Sequence, residues 1–281
     1  MALLTTIETI DSFLQENQSR YSENTLDLYR LSIIQFFSFC RKEYNQIVRQ
    51  DINAWKADLY LKGNKPNSIR TKLVAQRSYF KYLAEENLII KNPNRAFKLP
   101  DKGETLPRSL SKEKTAILLE YAKDYSLERM VIEMLLATGV RISELLSIQK
   151  SDIKWDSLQI WIRKGKGCAE RYVLFTTECS VKLKKYLSEF DVKGSRFLFP
   201  NKRGNQRCKA WAEKFFRKYS KELGFRVTPH SLRYTFAVRL AEKGMPLPYL
   251  QILLGHKDIK TTKIYAEIDG TARKVEYDRY Q

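Results

Sequence analysis

The sequence predicts a mainly α-helical protein with a small β-sheet, built as an N-terminal helical domain followed by a C-terminal mixed α/β domain. Three observations lead there. Apolar residues recur at helical spacing through residues 1–90. A proline-bearing stretch without hydrophobic period follows, at 91–107. Beyond it, in 108–281, helical patterns are interrupted by "LQIWIRKGKGCAERYVLF", which reads as a strand, a Gly-rich basic turn and a second strand.

Taken in order, "TIETIDSFLQENQ" sets Ile7, Ile10, Phe13 and Leu14 at helical spacing. "SENTLDLYRLSIIQFFSFCRK" opens with Ser22 three residues before Thr25 and carries a long apolar face. "QDINAWKADLYLKG" closes at Gly63, a C-cap residue. "KPNSIRTKLVAQRSYFKYLAEEN" offers Asn67 or Ser68 as N-cap. In the second domain, "SKEKTAILLEYAKDY" and "LERMVIEMLLATG" read as helices, the latter ending at Gly139. After the strand pair comes a short apolar run, "SRFLFP". Helices resume with "CKAWAEKFFRKYSKELG", "HSLRYTFAVRLAEKG", "LPYLQILLG" and "IKTTKIYAE". No repeat of fixed period is present.

Charge narrows the class of partner. The 281 residues hold 51 Lys+Arg against 32 Asp+Glu, a formal charge of +19, in a chain that is 43% hydrophobic. A field of that sign draws polyanions, and phosphate neutralisation by Lys and Arg makes nucleic acid the leading partner. Between Lys56 and Lys81 stand seven basic residues and one acid, Asp58. Within that run, Lys62, Lys65, Arg70, Lys72 and Arg77 are candidate contacts to a phosphate backbone, with Tyr79 and Phe80 interleaved. The four cysteines, Cys40, Cys168, Cys179 and Cys208, show no CxxC pairing and read as reduced intracellular thiols. The first residues lack the positive region of a signal peptide, and no apolar run reaches the ~18 residues of a membrane span. A cytoplasmic, nucleoid-associated protein without a membrane partner is expected.

Four pieces carry the chemistry: "ATGVRISELLSI" with Arg141 and Glu144, "RKGKGCAER" with Lys166, "HSLRYTFA" with His230 and Arg233, and "LLGHKDIKTTKIY" with His256 and Tyr265. His230 and His256 are the only two histidines. His230 and Arg233, three apart, share one helix face. Two arginines, two histidines and a lysine suit a phosphate, since guanidinium forks give permanently charged bidentate contacts to its oxygens. The sequence offers no His/Asp/Glu cluster suited to Mg²⁺ or Zn²⁺. Charge stabilisation then falls to side chains, as in metal-free phosphoryl transfer, with no cofactor. A tyrosine beside such a cluster is a candidate nucleophile.

In this ordered set the chain resembles the tyrosine recombinase (phage integrase) family, and within it the Xer-type recombinases. Their pattern "HxLRHxFAxxLxxxG…LLGHxxxxTTxIYxH" is matched by "HSLRYTFAVRLAEKG…LLGHKDIKTTKIYAEI". Their "GKGxKxR" hairpin is matched by "GKGCAER", residues 165–171. Two departures stand out: Ala169 replaces the hairpin's second lysine, and Tyr234 stands where histidine is frequent. The resemblance implies a helical core-binding, DNA-clamping domain at 1–90, a linker at 91–107 and a catalytic domain at 108–281. It implies Tyr265 as nucleophile forming a 3′-phosphotyrosyl link, Arg141 and Arg233 on the non-bridging oxygens, and His256 as a further donor. His230 would assist proton transfer, Lys166 (or Lys164, two residues before it) would be the general acid, and Glu144 would support Arg141 or His230. It further implies a double-stranded DNA recombination site and a homotetramer on two sites, with or without a second recombinase or accessory protein. A catalytically silent DNA-binding protein of the same fold, and a topoisomerase-like enzyme using the same tyrosine, stay open on these residues.

Overall fold

The computed structural model describes residues 5–95, 97–101, 109–163, 170–190 and 194–255. Its chain divides into two compact units, Met1–Thr105 and Leu106–Gln281. The fold is mainly helical with one small sheet, as expected.

The first unit contains helices α1 (Thr6–Glu16), α2 (Glu23–Cys40), α3 (Arg49–Leu61) and α4 (Pro66–Glu85). Helix α1 starts in a capping box: Thr5 Oγ1 accepts from Glu8 N, and the Glu8 carboxylate accepts from Thr5 N at 2.7 Å. Ile10, Phe13 and Leu14 are buried, but Ile7, expected on the same face, is 69% exposed. At 100° per residue it lies on the rim of that stripe rather than within it. Ser22 caps α2 by accepting from Thr25 N. Helix α4 departs from the expected start. Lys65 is its N-cap and Pro66 its first residue, in place of Asn67 or Ser68. Proline's fixed φ suits that position, and its missing N–H would have had no helical partner. The core gathers Phe13, Phe36, Trp55, Tyr79 and Phe80, all nearly inaccessible. Tyr79 and Phe80 are thus core residues, not a surface interleaved with charge. Truncating any of these rings to alanine would cost about 3–5 kcal/mol. Phe97, in the stretch expected as linker, is also buried against this core.

The second unit contains α5 (Lys112–Tyr121), α6 (Ser126–Thr138), α7 (Ile142–Ser147), β1 (Ile153–Lys154), β2 (Gln159–Ile162), β3 (Arg171–Leu174), α8 (Thr177–Phe190), α9 (Lys209–Glu222), α10 (Pro229–Glu242) and α11 (Leu247–Leu254). The three strands form an antiparallel sheet in sequence order. In the β2–β3 register, Ile160 faces Val173 and Ile162 faces Arg171. These four share one buried face, because side chains alternate along a strand. Trp161 and Tyr172 pair on the other face, with ring centroids 4.6 Å apart. "SRFLFP" adds no strand to that sheet; Phe197 and Pro200 make isolated bridges to Gln149 and Gln206. The expected helix "IKTTKIYAE" lies outside the described residues. Cys40, Cys179 and Cys208 carry free thiols. Among the described residues no helix is long and apolar enough to cross a membrane.

Candidate active site

Two left-handed glycines build the frame. Gly139 ends α6 at φ 61°. A Cβ there would meet Phe236 Cδ1 at 2.2 Å, so only glycine lets α10 pack this closely. Gly255 ends α11 at φ 63°. A Cβ there would lie 2.8 Å from Arg171 Nη1. The chain leaves Gly139 through Val140 to Arg141, the N-cap of α7.

Arg141 and Glu144 lock together at this turn. The Glu144 carboxylate accepts from Arg141 N at 2.9 Å and from Arg141 Nη1 at 2.8 Å. Helix α10 begins with Thr228 and Ser231 capping each other reciprocally and with Pro229 at its first position. That start sets His230 in the first turn and Arg233 one turn on, along one face. Arg233 is only 4% exposed. Its Nη1 donates to Gly139 O at 2.7 Å and its Nη2 to Leu254 O at 2.5 Å.

The end of α11 gathers three guanidinium groups. Arg171 Nε donates to Leu253 O at 3.0 Å, Arg233 Nη2 to Leu254 O, and Arg141 Nη2 to Gly255 O at 3.4 Å. The last carbonyls of a helix lack intrahelical donors and carry the negative end of its dipole, so cations there are favoured twice over. His256 follows Gly255 directly in the sequence.

Electrostatics follow from these contacts. Burial pushes the Glu144 carboxyl upward. The Arg171 side chain, the Arg141 backbone N–H and the Arg141 side chain outweigh it and hold the pKa at about 2. His230 is shifted down from the ordinary imidazole value, first by burial and then by the positive charges of Arg233, Arg141 and Arg226. At neutral pH it is therefore an uncharged imidazole able to accept a proton.

Arg141, His230 and Arg233 line one open cleft of about 770 Å³. Its walls add Lys209, Arg217 and Arg226 with the apolar Ile142, Phe216, Val227 and Pro229. Among the described residues lining it, Glu213 is the one carboxylate, and Lys209 pairs with it at 3.2 Å. Among the described residues, no group of three or more His, Cys, Asp or Glu is placed to hold a metal ion.

The structure thus joins four of the expected site residues, Arg141, Glu144, His230 and Arg233. Lys164, Lys166, His256 and Tyr265 lie outside the described residues. Tyr234, one of the two departures, is 2% exposed and belongs to a small apolar cluster with Phe236, Leu250 and Leu254. Arg171 closes the matched hairpin motif "GKGCAER" but was given no role from the sequence, and Lys209, Arg217 and Arg226 were not singled out. For Arg171 a signal existed: a charge at the inward phase of the alternating "RYVL" demands a buried partner.

The five basic candidates of the first unit do not form one stripe. Lys65 and Lys72 lie seven residues apart on one face of α4, as do Arg70 and Arg77 on another. Lys62 and Lys72 line a hollow of about 610 Å³ with Arg41 and Asn64. Lys62 also pairs with Asp58 at 2.7 Å. Arg70 Nη1 donates to Pro100 O at 2.5 Å. Lys65 and Arg77 are exposed.

Comparison with known proteins bears on the whole chain. The phage integrase family matches residues 108–271, and the phage integrase N-terminal SAM-like domain matches residues 10–87. Tyrosine recombinase XerC of Leptospira interrogans is 30% identical, covering 96% of this chain and 92% of its own length. Tyrosine recombinase XerC of Staphylococcus aureus is 32% identical, covering 90% and 89%. The Tn1549 transposon integrase, solved in complex with circular intermediate DNA, has a TM-score of 0.78 at 22% identity and covers 96% of this chain and 98% of that one, a likeness of fold. The chain belongs to the phage integrase family. It is a tyrosine site-specific recombinase most similar to the Xer type, and that reading stands over the catalytically silent alternative.

Proposed function

We propose that this site-specific recombinase cuts and rejoins double-stranded DNA through a 3′-phosphotyrosyl intermediate. Tyr265 Oη attacks the scissile phosphorus; the Oη–P bond forms as the P–O5′ bond breaks. The phenolic proton passes to His230, and the departing 5′-oxygen takes a proton from Lys166. Arg141 and Arg233 hold the non-bridging oxygens, His256 donates to the phosphate, and Glu144 orients Arg141. Attack by a partner strand's 5′-hydroxyl reverses these steps and completes the exchange. The bond energy is kept in the phosphotyrosine, so no nucleotide cofactor enters.

One observation carries the reading: Arg141, His230 and Arg233, from two motifs about 90 residues apart in sequence, face one basic cleft beside the end of α11. A neutral His230 fits a proton acceptor, and fixed guanidinium groups suit charge developing on phosphate oxygens. The charge of +19 fits a DNA partner, as does the DNA held by the transposon integrase of like fold. Lys62, Lys65, Arg70, Lys72 and Arg77 of the core-binding domain (residues 1–90) track the phosphate backbone, while residues 108–281 form the catalytic domain. The enzyme works on two sites as a homotetramer, at the nucleoid of the cytoplasm.

The test is recombination itself. A core site is enriched from random-sequence DNA by the purified protein, and two direct copies are placed in one supercoiled plasmid. Wild type should resolve the plasmid into two circles without ATP; Tyr265→Phe should bind the site and yield none. Relaxation without dependence on paired sites would favour the topoisomerase-like reading, and tight binding without products the silent one.

A further inference from the structure

We propose that Arg171 is a positioning residue for strand cleavage, holding both arginines of the phosphate site in register through Glu144 and the end of α11. This rests on the strand-cleavage reading above. Arg171 is not one of the residues that line the cleft. It is 7% exposed, on the inward face of β3 opposite Ile162. Burying a guanidinium is costly unless its donors are met, and here they are met with an unusual set of partners.

Nη2 and Nη1 form a fork on the two Glu144 oxygens, at 2.8 and 3.2 Å. The same two oxygens receive the backbone N–H and Nη1 of Arg141. Arg171 therefore fixes Arg141 in both main chain and side chain through one intermediate carboxylate. Its third donor, Nε, holds Leu253 O. The two carbonyls that follow, of Leu254 and Gly255, receive Arg233 and Arg141. One side chain thus spans α7 and α11, each of which touches a phosphate-holding arginine.

Its removal has a directed consequence. Glu144 would be left with Arg141 as its remaining guanidinium partner, and the lone ion pair would draw Arg141 off the cleft. The end of α11 would lose one of its three clamps. Gly255 confirms how closely the strut is packed, since a Cβ there would meet Arg171 Nη1, Cζ and Nε at 2.8, 2.9 and 3.0 Å. Lysine keeps the charge but lacks the planar fork and the Nε donor, so it cannot reproduce these contacts.

The experiment compares wild type, Arg171→Lys and the double variant Arg171→Leu/Glu144→Leu. Three quantities are read: the thermal midpoint, the affinity for the core site, and the single-turnover rate of covalent adduct formation on a nicked site. Each rate is measured on the natural phosphate and on a methylphosphonate at the scissile position, whose missing negative charge relaxes the demand on a guanidinium clamp. For Arg171→Lys we expect affinity within about threefold of wild type and cleavage slowed about 100-fold, the scale of an ångström misplacement. That deficit should shrink to about tenfold or less on the methylphosphonate. The Leu/Leu pair, an apolar replacement of a buried ion pair, should restore folding while cleavage stays slow. Equal deficits on both substrates, or a folded Leu/Leu protein that cleaves at the wild-type rate, would reduce Arg171 to a structural ion-pair partner and overturn the proposal. Absence of an adduct from wild type would overturn the cleavage reading itself.

Discussion

Replacing Glu144 by Gln should lower the stability of the second unit by an amount that shrinks as the solution is acidified. The Glu144 carboxyl sits at about 2 instead of the usual 4.5, burial being outweighed by its contacts with Arg171 and Arg141. Each pKa unit corresponds to about 1.4 kcal/mol, so the ionised form contributes about 3 kcal/mol at pH 7. The sign follows from linkage. A carboxyl whose folded-state pKa is depressed gives stability that is fully present above 4.5 and is lost as pH falls toward 2. At pH 3.5 the same relation leaves about 2 kcal/mol. Glutamine matches the shape but never ionises, and its amide donors face guanidinium groups. The gap between wild type and Glu144→Gln should therefore narrow between pH 7 and pH 3.5. Urea unfolding followed by tryptophan fluorescence reads the right unit, because Trp155, Trp161 and Trp211 lie in it and Trp55 alone in the first. A gap of the same size at both pH values would refute the argument that the paired carboxylate carries this stability.

Gly255→Ala should disable chemistry more than binding: the residue sits at φ 63° with Arg171 in the way, costing about 1–3 kcal/mol of local strain. Adduct yield should drop at least about tenfold while a gel-shift affinity holds. In untagged His256→Ala protein, His230 is the sole histidine. Its proton NMR titration without DNA should have a midpoint below 6.5, as burial and the neighbouring arginines require; a midpoint above 6.5 would remove the neutral acceptor. The unfolded chain takes up that proton first, so His230 should add a fall in stability as pH drops below 6.5. For DNA affinity against salt, Lys65→Gln and Arg77→Gln should each reduce the slope by about 1, as expected for a lost phosphate contact. Arg70→Gln, whose guanidinium is turned to Pro100 O, should change it less.

What could be seen in the sequence followed the strength of local signals. Helices α1 to α4 stood out because their apolar faces repeat with the helical period, and the β2–β3 hairpin because its strands alternate around a Gly-rich turn. Helix α8 passed unnoticed. Its buried stripe is Cys179, Leu183 and Tyr186, narrow and set among lysines. Strand β1 has two residues, too few for any period. Helix α7 is six residues long, too short to show a clear period, and is capped by the Arg141–Glu144 pair. The site was legible as a list of residues in motifs but not as a network. The motifs name Arg141, Glu144, His230 and Arg233. They do not reveal that Arg171, Arg233 and Arg141 seize three consecutive carbonyls at the end of α11. Such contacts join positions up to 114 residues apart, and only tertiary packing brings them together. The basic run of α3 and α4 was legible as charge, while its division between two helix faces and the burial of Tyr79 and Phe80 depended on which side met the core.

The proposed reaction turns on Tyr265 as a metal-independent nucleophile. The most direct measurement incubates the protein with a nicked core site in EDTA, separates products on a denaturing gel, and maps the DNA-linked peptide by mass spectrometry. The expected result is a covalent adduct whose only linkage is to Tyr265, formed by wild type and absent from Tyr265→Phe. An adduct on another residue, or one that persists in Tyr265→Phe, would contradict it.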